Sequence, residues 1–307
     1  VAIPITGDAV TDTLSFVVCV NDQALLRQCL MASPCLAAGR YPVLQYEHCT
    51  SAAEAFNAAL KLVDTDWLVF VHQDVFLPQG WDEQFRAGIA AARTQWPDLA
   101  VVGVYGVRGG FSFRGQTPDG GLSPKLSPEL PPEPPKPERL GHVLDRDQHL
   151  REPAALPAAA DTLDELCFAV RRDAGLQLDP ALGFDFYASD VALQAREQGY
   201  AVAVVDAFCE HRSRLPRAGF TEAFIARFSA SATHFQNKWR HRLPITTPSI
   251  TLSAMPSAAE QVRAVTGTPA ASVASAASVE VILGTDPELG SVPKITSTKT
   301  TEATAKT

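Results

Sequence analysis

Asp66-Trp67-Leu68-Val69-Phe70-Val71-His72-Gln73-Asp74-Val75-Phe76-Leu77-Pro78 is the stretch whose reading decides the fold. Its apolar run from Trp67 to Val71, rich in Val and aromatics, predicts a strand covered on both faces, as in a parallel sheet. Three polar residues follow at once, and Pro78 and Gly80 stop the segment before the helix-like opening Trp81-Asp82-Glu83. Ligands of open α/β sheets gather at the carboxyl ends of the strands, so a site is expected at His72-Gln73-Asp74. An imidazole and a carboxylate two residues apart can share a divalent metal or a diphosphate. The competing explanation is that both side chains merely satisfy the turn.

Working outward, Leu14 to Val20 predicts the first strand, ending in Asn21-Asp22, and Gln23 to Leu30 carries the apolar spacing of an amphipathic helix. Tyr41 to Tyr46 predicts a second strand. Ser51-Ala52-Ala53-Glu54 has the form of a capping box opening a helix that buries Phe56 and Leu60. On the other side, Trp81 to Thr94 predicts a helix and Leu99 to Val104 a strand. Strand and helix alternate as in a sheet with crossover helices.

Beyond Gly109-Gly110, residues 111–139 are rich in Pro and Gly and are expected to form a long exposed loop, either a lid or a tolerated insertion. Leu163 to Val170 is apolar with two interior acids, Asp164 and Glu165. A helix is expected from about Val191 to a C-cap at Gly199, with Ser189-Asp190 as a good N-cap, and a last buried strand from Ala201 to Val205. Thr221 to Trp239 closes the series as a helix. The domain plan is an irregular lead-in at 1–12, one domain at 13–245, and a Ser/Thr/Ala/Pro-rich tail at 246–307 that is expected to stay disordered.

The 307 residues suffice for a sizeable core, and a formal charge of −8 with pI near 5.4 argues against a nucleic-acid partner. No run approaches the length of a transmembrane helix, and residues 1–12 lack the pattern of a signal peptide. Six cysteines without a C-x-x-C pair are expected to be reduced and buried, which points to the cytoplasm.

The order of these motifs is informative. Val20-Asn21-Asp22, Ser51-Ala52-Ala53-Glu54-Ala55-Phe56-Asn57, Phe70-Val71-His72-Gln73-Asp74-Val75, Thr162-Leu163-Asp164-Glu165, Phe184 to Asp190, and Cys209-Glu210-His211-Arg212-Ser213 follow one another along the chain. In that order they resemble the GT-A glycosyltransferases, and within them a bacterial, family 2-like subgroup with His-Gln-Asp in place of D-x-D. The resemblance spans roughly Thr13 to Pro244. It implies a Rossmann-like α/β fold with a mostly parallel central sheet flanked by helices. It also implies an inverting transfer of a sugar from a nucleotide-diphosphate donor to an acceptor hydroxyl, with Mn²⁺ or Mg²⁺.

On this resemblance Asp74 and His211 are the expected metal ligands, and Asp190 is the expected base, with Asp185 in reserve. Asn21, Asp22, Ser51, His72, Gln73 and Asp74 are expected at the nucleotide sugar, and Asp164 and Glu165 at the acceptor, unless Arg171 or Arg172 pairs with the two acids. Where many relatives carry Glu-Asp, this chain has Tyr187-Ala188, which keeps a catalytically silent sugar- or nucleotide-binding module in play. A nucleotidyltransferase on the same fold is disfavoured, because no Gly-rich phosphate loop follows the first strand. The acceptor stays open among polysaccharide, lipid-linked glycan, protein and small glycoside. Peripheral membrane contact stays open through the basic cluster Lys238 to Arg242, which as a helix end has a plain solvated alternative.

Overall fold

In the computed structural model, residues 12–109, 136–213, 220–266 and 295–297 are described. Along the chain come β1 (Leu14–Val20), α1 (Gln23–Gln28), α2 (Pro34–Ala37), β2 (Val43–Glu47), α3 (Ala52–Ala59), β3 (Trp67–Val71), β4 (Val75–Phe76) and α4 (Trp81–Gln95). Then follow β5 (Leu99–Gly103), β6 (Tyr105–Arg108), β7 (Glu138–Asp145), β8 (Gln148–Arg151), β9 (Ala158–Ala159), β10 (Thr162–Leu163) and β11 (Cys167–Arg171). The remainder is α5 (Tyr187–Glu197), β12 (Ala201–Val204), β13 (Cys209–His211), α6 (Glu222–Lys238), β14 (Ile245–Thr246), β15 (Thr251–Leu252), α7 (Ala258–Thr266) and β16 (Ile295–Ser297).

An eight-stranded sheet runs in the order β16-β2-β1-β3-β11-β5-β12-β9. Within it β2, β1, β3, β5 and β12 point one way, while β11 is antiparallel to both of its neighbours and β9 and β16 are antiparallel edges. The sheet is therefore mixed, with a parallel majority. The period-two alternation of its strands explains the covering on both sides. Phe16 and Val18 of β1, with Trp67, Val69 and Val71 of β3, pack with Leu26 of α1 and Trp81, Phe85 and Ile89 of α4. Val17, Leu68 and Phe70 face the other way, toward Phe56 of α3 and Tyr187 and Val191 of α5. All five residues of β3 are buried, and at about 1.5–3 kcal/mol per large apolar side chain this strand alone contributes on the order of 10 kcal/mol.

A second sheet, β10-β6-β7-β13-β4 with β8 paired to β7, stands at the carboxyl end of β3. Gly141 lets β7 lie close on β6: at φ 115° it adopts a conformation that other residues rarely take, and a Cβ there would drive into the Val104 carbonyl oxygen. This small sheet carries half of the site described below.

Three boundaries differ from the sequence expectation. The α5 helix begins at Tyr187 rather than near Val191, because Phe186 takes the N-cap position at φ 62° with its ring packed on Phe228 and Phe235 of α6. Ser189 and Asp190 are thus inside the first turn and cap nothing. The Leu163 to Val170 run is not one strand but β10 and β11, split by Asp164-Glu165-Leu166. The expected tail at 246–307 is corrected over its first part: Ile250, Leu252, Ala258 and Val262 pack on Phe228, Phe235 and Trp239, so the boundary at 245 falls inside a packed layer. Those few aliphatic residues suffice because α6 already offers them an aromatic face. The Pro-rich loop is outside the described residues except for its end, where Glu138 and Arg139 already belong to β7. The lead-in at 1–11 and the weak strand signal at Val279 to Leu283 are also outside them.

Candidate metal and donor site

The turn after β3 is fixed from both sides. The His72 amide donates to the Leu166 carbonyl beside β11, and β4 pairs antiparallel with β13, setting His211 opposite Val75. The Arg212 amide then donates to the Asp74 carbonyl. Two short strands thus join residues far apart in the chain, and ligand atoms of His72, Asp74 and His211 lie within 4.8 Å of one another.

Each histidine is anchored by one ring nitrogen and leaves the other without a partner. His72 Nε2 meets the Tyr187 hydroxyl at 2.8 Å, while its Nδ1 meets no hydrogen-bonding group. His211 Nδ1 meets the Asp145 carboxylate at 2.7 Å, while its Nε2 stands 3.5 Å from Asp74 Oδ1, longer than a well-formed hydrogen bond. Neither carboxylate oxygen of Asp74 has a hydrogen-bond donor, although the residue has no exposed surface. A buried carboxylate without donors is costly and calls for a cation.

Electrostatics describe the same demand. Burial alone would push the Asp74 carboxyl up, but the charge on His211, backed by His72, holds it below its ordinary value. Burial would likewise lower His211, yet Asp74 and Asp145 outweigh it and raise its pKa to about 10. His72, buried and beside His211, is lowered to about 4 and is neutral at pH 7. In the metal-free protein a proton on His211 therefore supplies the positive charge that Asp74 needs. A metal would take that proton's place, and its binding would release it.

The residues fit such an ion. Ligands about 2.0–2.2 Å from one centre sit at most roughly 4.4 Å apart, so the cluster needs to tighten by only a few tenths of an ångström. Two imidazoles with one carboxylate suit first-row divalent ions, whereas Mg²⁺ prefers oxygen ligands; of the two expected cations Mn²⁺ fits better.

The other expected site residues fall into three groups. Gln73 does not face the cluster: its Oε1 accepts from the Asn21 and Asp22 amides, and its Nε2 donates to Asn21 Oδ1. It ties the loop after β1 to the metal turn. Asp22 caps α1 by accepting from the Ala24 and Leu25 amides. Ser51 caps α3, accepting from Glu54, while Glu54 reaches back to the Thr50 amide, one residue earlier than a standard capping box. Ser51 also lines an open groove of about 400 Å³ with Thr50, Glu54, Asn57 and Lys61, which includes none of the three cluster residues.

Asp164 and Glu165 form the second group, in the bend that holds His72. Arg171 is not their partner, since it binds Asp173 and the Leu99 carbonyl. Asp164 Oδ1 accepts from the Leu166 amide, and its Oδ2 is buried without a partner. Burial lifts Asp164 to about 7 against the opposing pull of the Leu166 amide and of His211. Burial, and then Asp164, raise Glu165 as well.

Asp190 and Asp185, the third group, are engaged by α6 and its end. Asp190 lies one turn past Tyr187 and accepts from Trp239 Nε1 at 2.8 Å, Lys238 Nζ at 2.9 Å and Gln194 Nε2 at 2.6 Å. Asp185 accepts from Ser231 and from Arg227. Both acids pin α6 to the domain, and neither offers a bare oxygen toward the cluster as Asp164 and Asp74 do. Of the basic cluster, Lys238 is held by Asp179 and Asp190, and His241 and Arg242 by Glu197. Sequence reasoning missed Tyr187 and Asp145 as anchors; their contacts are tertiary and leave no local pattern. It also placed His72 with the donor rather than with the metal.

The comparisons with known proteins come to a family and two loose structural likenesses. Among curated protein sequences none matches the chain. A mannosyltransferase from Pyrobaculum calidifontis, solved with GDP-Man and Mn²⁺, is similar at 11% identity and a TM-score of 0.42 over 76% of this chain and 64% of its own. GalNAc-T7, solved with UDP, GalNAc and Mn²⁺, is similar at 12% identity and a TM-score of 0.42 over 74% of this chain and 48% of its own. The chain thus spans less than two thirds of the length of either. Among the described residues no helix is long and apolar enough to cross a membrane. The profile described as "Glycosyltransferase like family" matches residues 15–218, most of the chain and every motif from Asn21 to His211, and the chain belongs to that family.

Proposed function

We propose that the protein transfers a sugar from a nucleotide-diphosphate donor to an acceptor hydroxyl, with inversion, at a divalent metal centre made by His72, Asp74 and His211. The observation that carries this reading is the set of buried ligand atoms with no hydrogen-bond partner meeting at one strand end. When bound, the cation would supply positive charge against the diphosphate leaving group. Asp74 offsets the cation's charge, and Tyr187 and Asp145 hold the two imidazoles in place. Gln73 keeps the loop after β1, where the nucleotide is expected, in fixed relation to that centre.

The acceptor oxygen forms a bond to the anomeric carbon as the bond from that carbon to the phosphate oxygen breaks, and the hydroxyl proton must go to a base. Asp164 suits this part better than Asp190. It has a bare oxygen beside the cluster and a pKa near 7, where a base is most effective. One observation favours a second reading, a binding module without turnover: Asp190 and Asp185 are both taken up by α6. Calorimetry with a panel of nucleotide sugars, with and without Mn²⁺, separates the two. Metal-dependent binding with slow donor hydrolysis is expected; binding without any hydrolysis or transfer supports the module, and no binding to any donor refutes both.

A further inference from the structure

The strand that carries His211 lies parallel to β7, with His211 opposite Asp145, so both side chains leave the same face of the small sheet. Asp145 is 1% exposed, and its Oδ1 accepts from His211 Nδ1 at 2.7 Å. Its second oxygen is 3.4 Å from the Arg146 guanidinium. The hairpin just beyond it is built to hold this position. Asp145 and Gln148 close a two-residue turn in which Arg146 sits at φ 58°, a left-handed conformation that costs a non-glycine residue of order 1 kcal/mol. In that conformation the Arg146 amide donates to the His211 carbonyl at 2.7 Å. Asp145 and the residue after it therefore grip His211 by side chain and by backbone.

We propose that Asp145 is a positioning residue of the metal centre. By accepting from Nδ1–H it fixes the His211 ring and reserves the Nε2 lone pair for the cation beside Asp74 and His72. The inference rests on the metal reading given above and adds to it a residue that touches neither donor nor acceptor. Such outer carboxylates set the ring's orientation and make the ligating nitrogen more basic. Removing one typically weakens a metal site by about 10–100-fold. An asparagine in the same place can still accept from Nδ1–H through its amide oxygen but carries no charge.

The test measures Mn²⁺ affinity from the electron paramagnetic resonance signal of the free ion, on wild type, Asp145→Ala and Asp145→Asn, each checked for cooperative unfolding. The expected order is wild type tightest, Asp145→Asn weaker, and Asp145→Ala weaker still by about 10–100-fold in all. A purely structural role would lower the unfolding midpoint and leave the affinity of the folded protein unchanged. Affinities within about twofold for a folded Asp145→Ala overturn the inference while leaving the metal site standing. If Asp145→Ala does not fold, Asp145→Asn decides: an affinity equal to wild type overturns the proposal, and a reduced one supports it. A wild type that takes up no Mn²⁺ overturns the metal reading and this inference with it.

Discussion

Asp74→Asn is expected to abolish Mn²⁺-dependent donor binding. Asp74 is the one carboxylate in the cluster, it is wholly buried, and neither of its oxygens is occupied by a donor. An amide would offer one neutral oxygen and would place two N–H donors in a pocket whose remaining free atoms are ring nitrogens. Loss of an outer carboxylate alone costs about 10–100-fold, so loss of the charged ligand itself is expected to cost roughly a hundredfold or more in metal affinity. The fold has little reason to change, because β3, β4 and β13 are held by backbone pairing and the Asp74 carbonyl keeps its bond from Arg212. Calorimetric titration of Mn²⁺ and then donor into the folded variant checks this; an unchanged affinity would remove Asp74 from the site.

The second large effect is expected from Asp164→Asn. General-base catalysis contributes about 10²–10⁴-fold, and kcat should fall by that order while the donor KM stays within about threefold. The sign of the pH dependence follows from the raised pKa. Asp164 is a base only when deprotonated, so the wild-type rate should climb as pH rises through about 7, and the variant should lose that limb. The groups that set this value are its own burial, the Leu166 amide, His211, Asp145 and Arg139. Asp190→Asn should behave differently. It breaks a buried ion pair with Lys238, which destabilises by about 3 kcal/mol, yet the folded fraction should keep its turnover. The opposite outcome, with transfer lost in Asp190→Asn and kept in Asp164→Asn, would return the base to Asp190.

The contrast between these two acids shows what the sequence could and could not tell. The strands β1, β3, β5 and β12 were legible because each is a short apolar run covered on both faces, and α4 because its apolar spacing starts just after Gly80. The cluster was partly legible. Asp74 and His211 were named through the resemblance, but the two-residue strand β4, which pairs with β13 to join them, is too short to show any pattern. Asp190 was misjudged because Ser-Asp before an apolar-periodic stretch is a strong local capping signal. Packing of Phe186 between α5 and α6 overrode it, as tertiary contacts routinely override propensity. The tail was misjudged for the converse reason. The segment from Thr246 to Thr266 looks too poor in large residues to fold alone, and it does not fold alone: it completes the apolar face of α6.

The most direct test is the position of bound Mn²⁺ in a crystal of the full chain, read from anomalous scattering. A single strong peak coordinated by His72 Nδ1, Asp74 and His211 Nε2 is predicted. A fully occupied Mn²⁺ elsewhere, with these three side chains unliganded, would contradict the account.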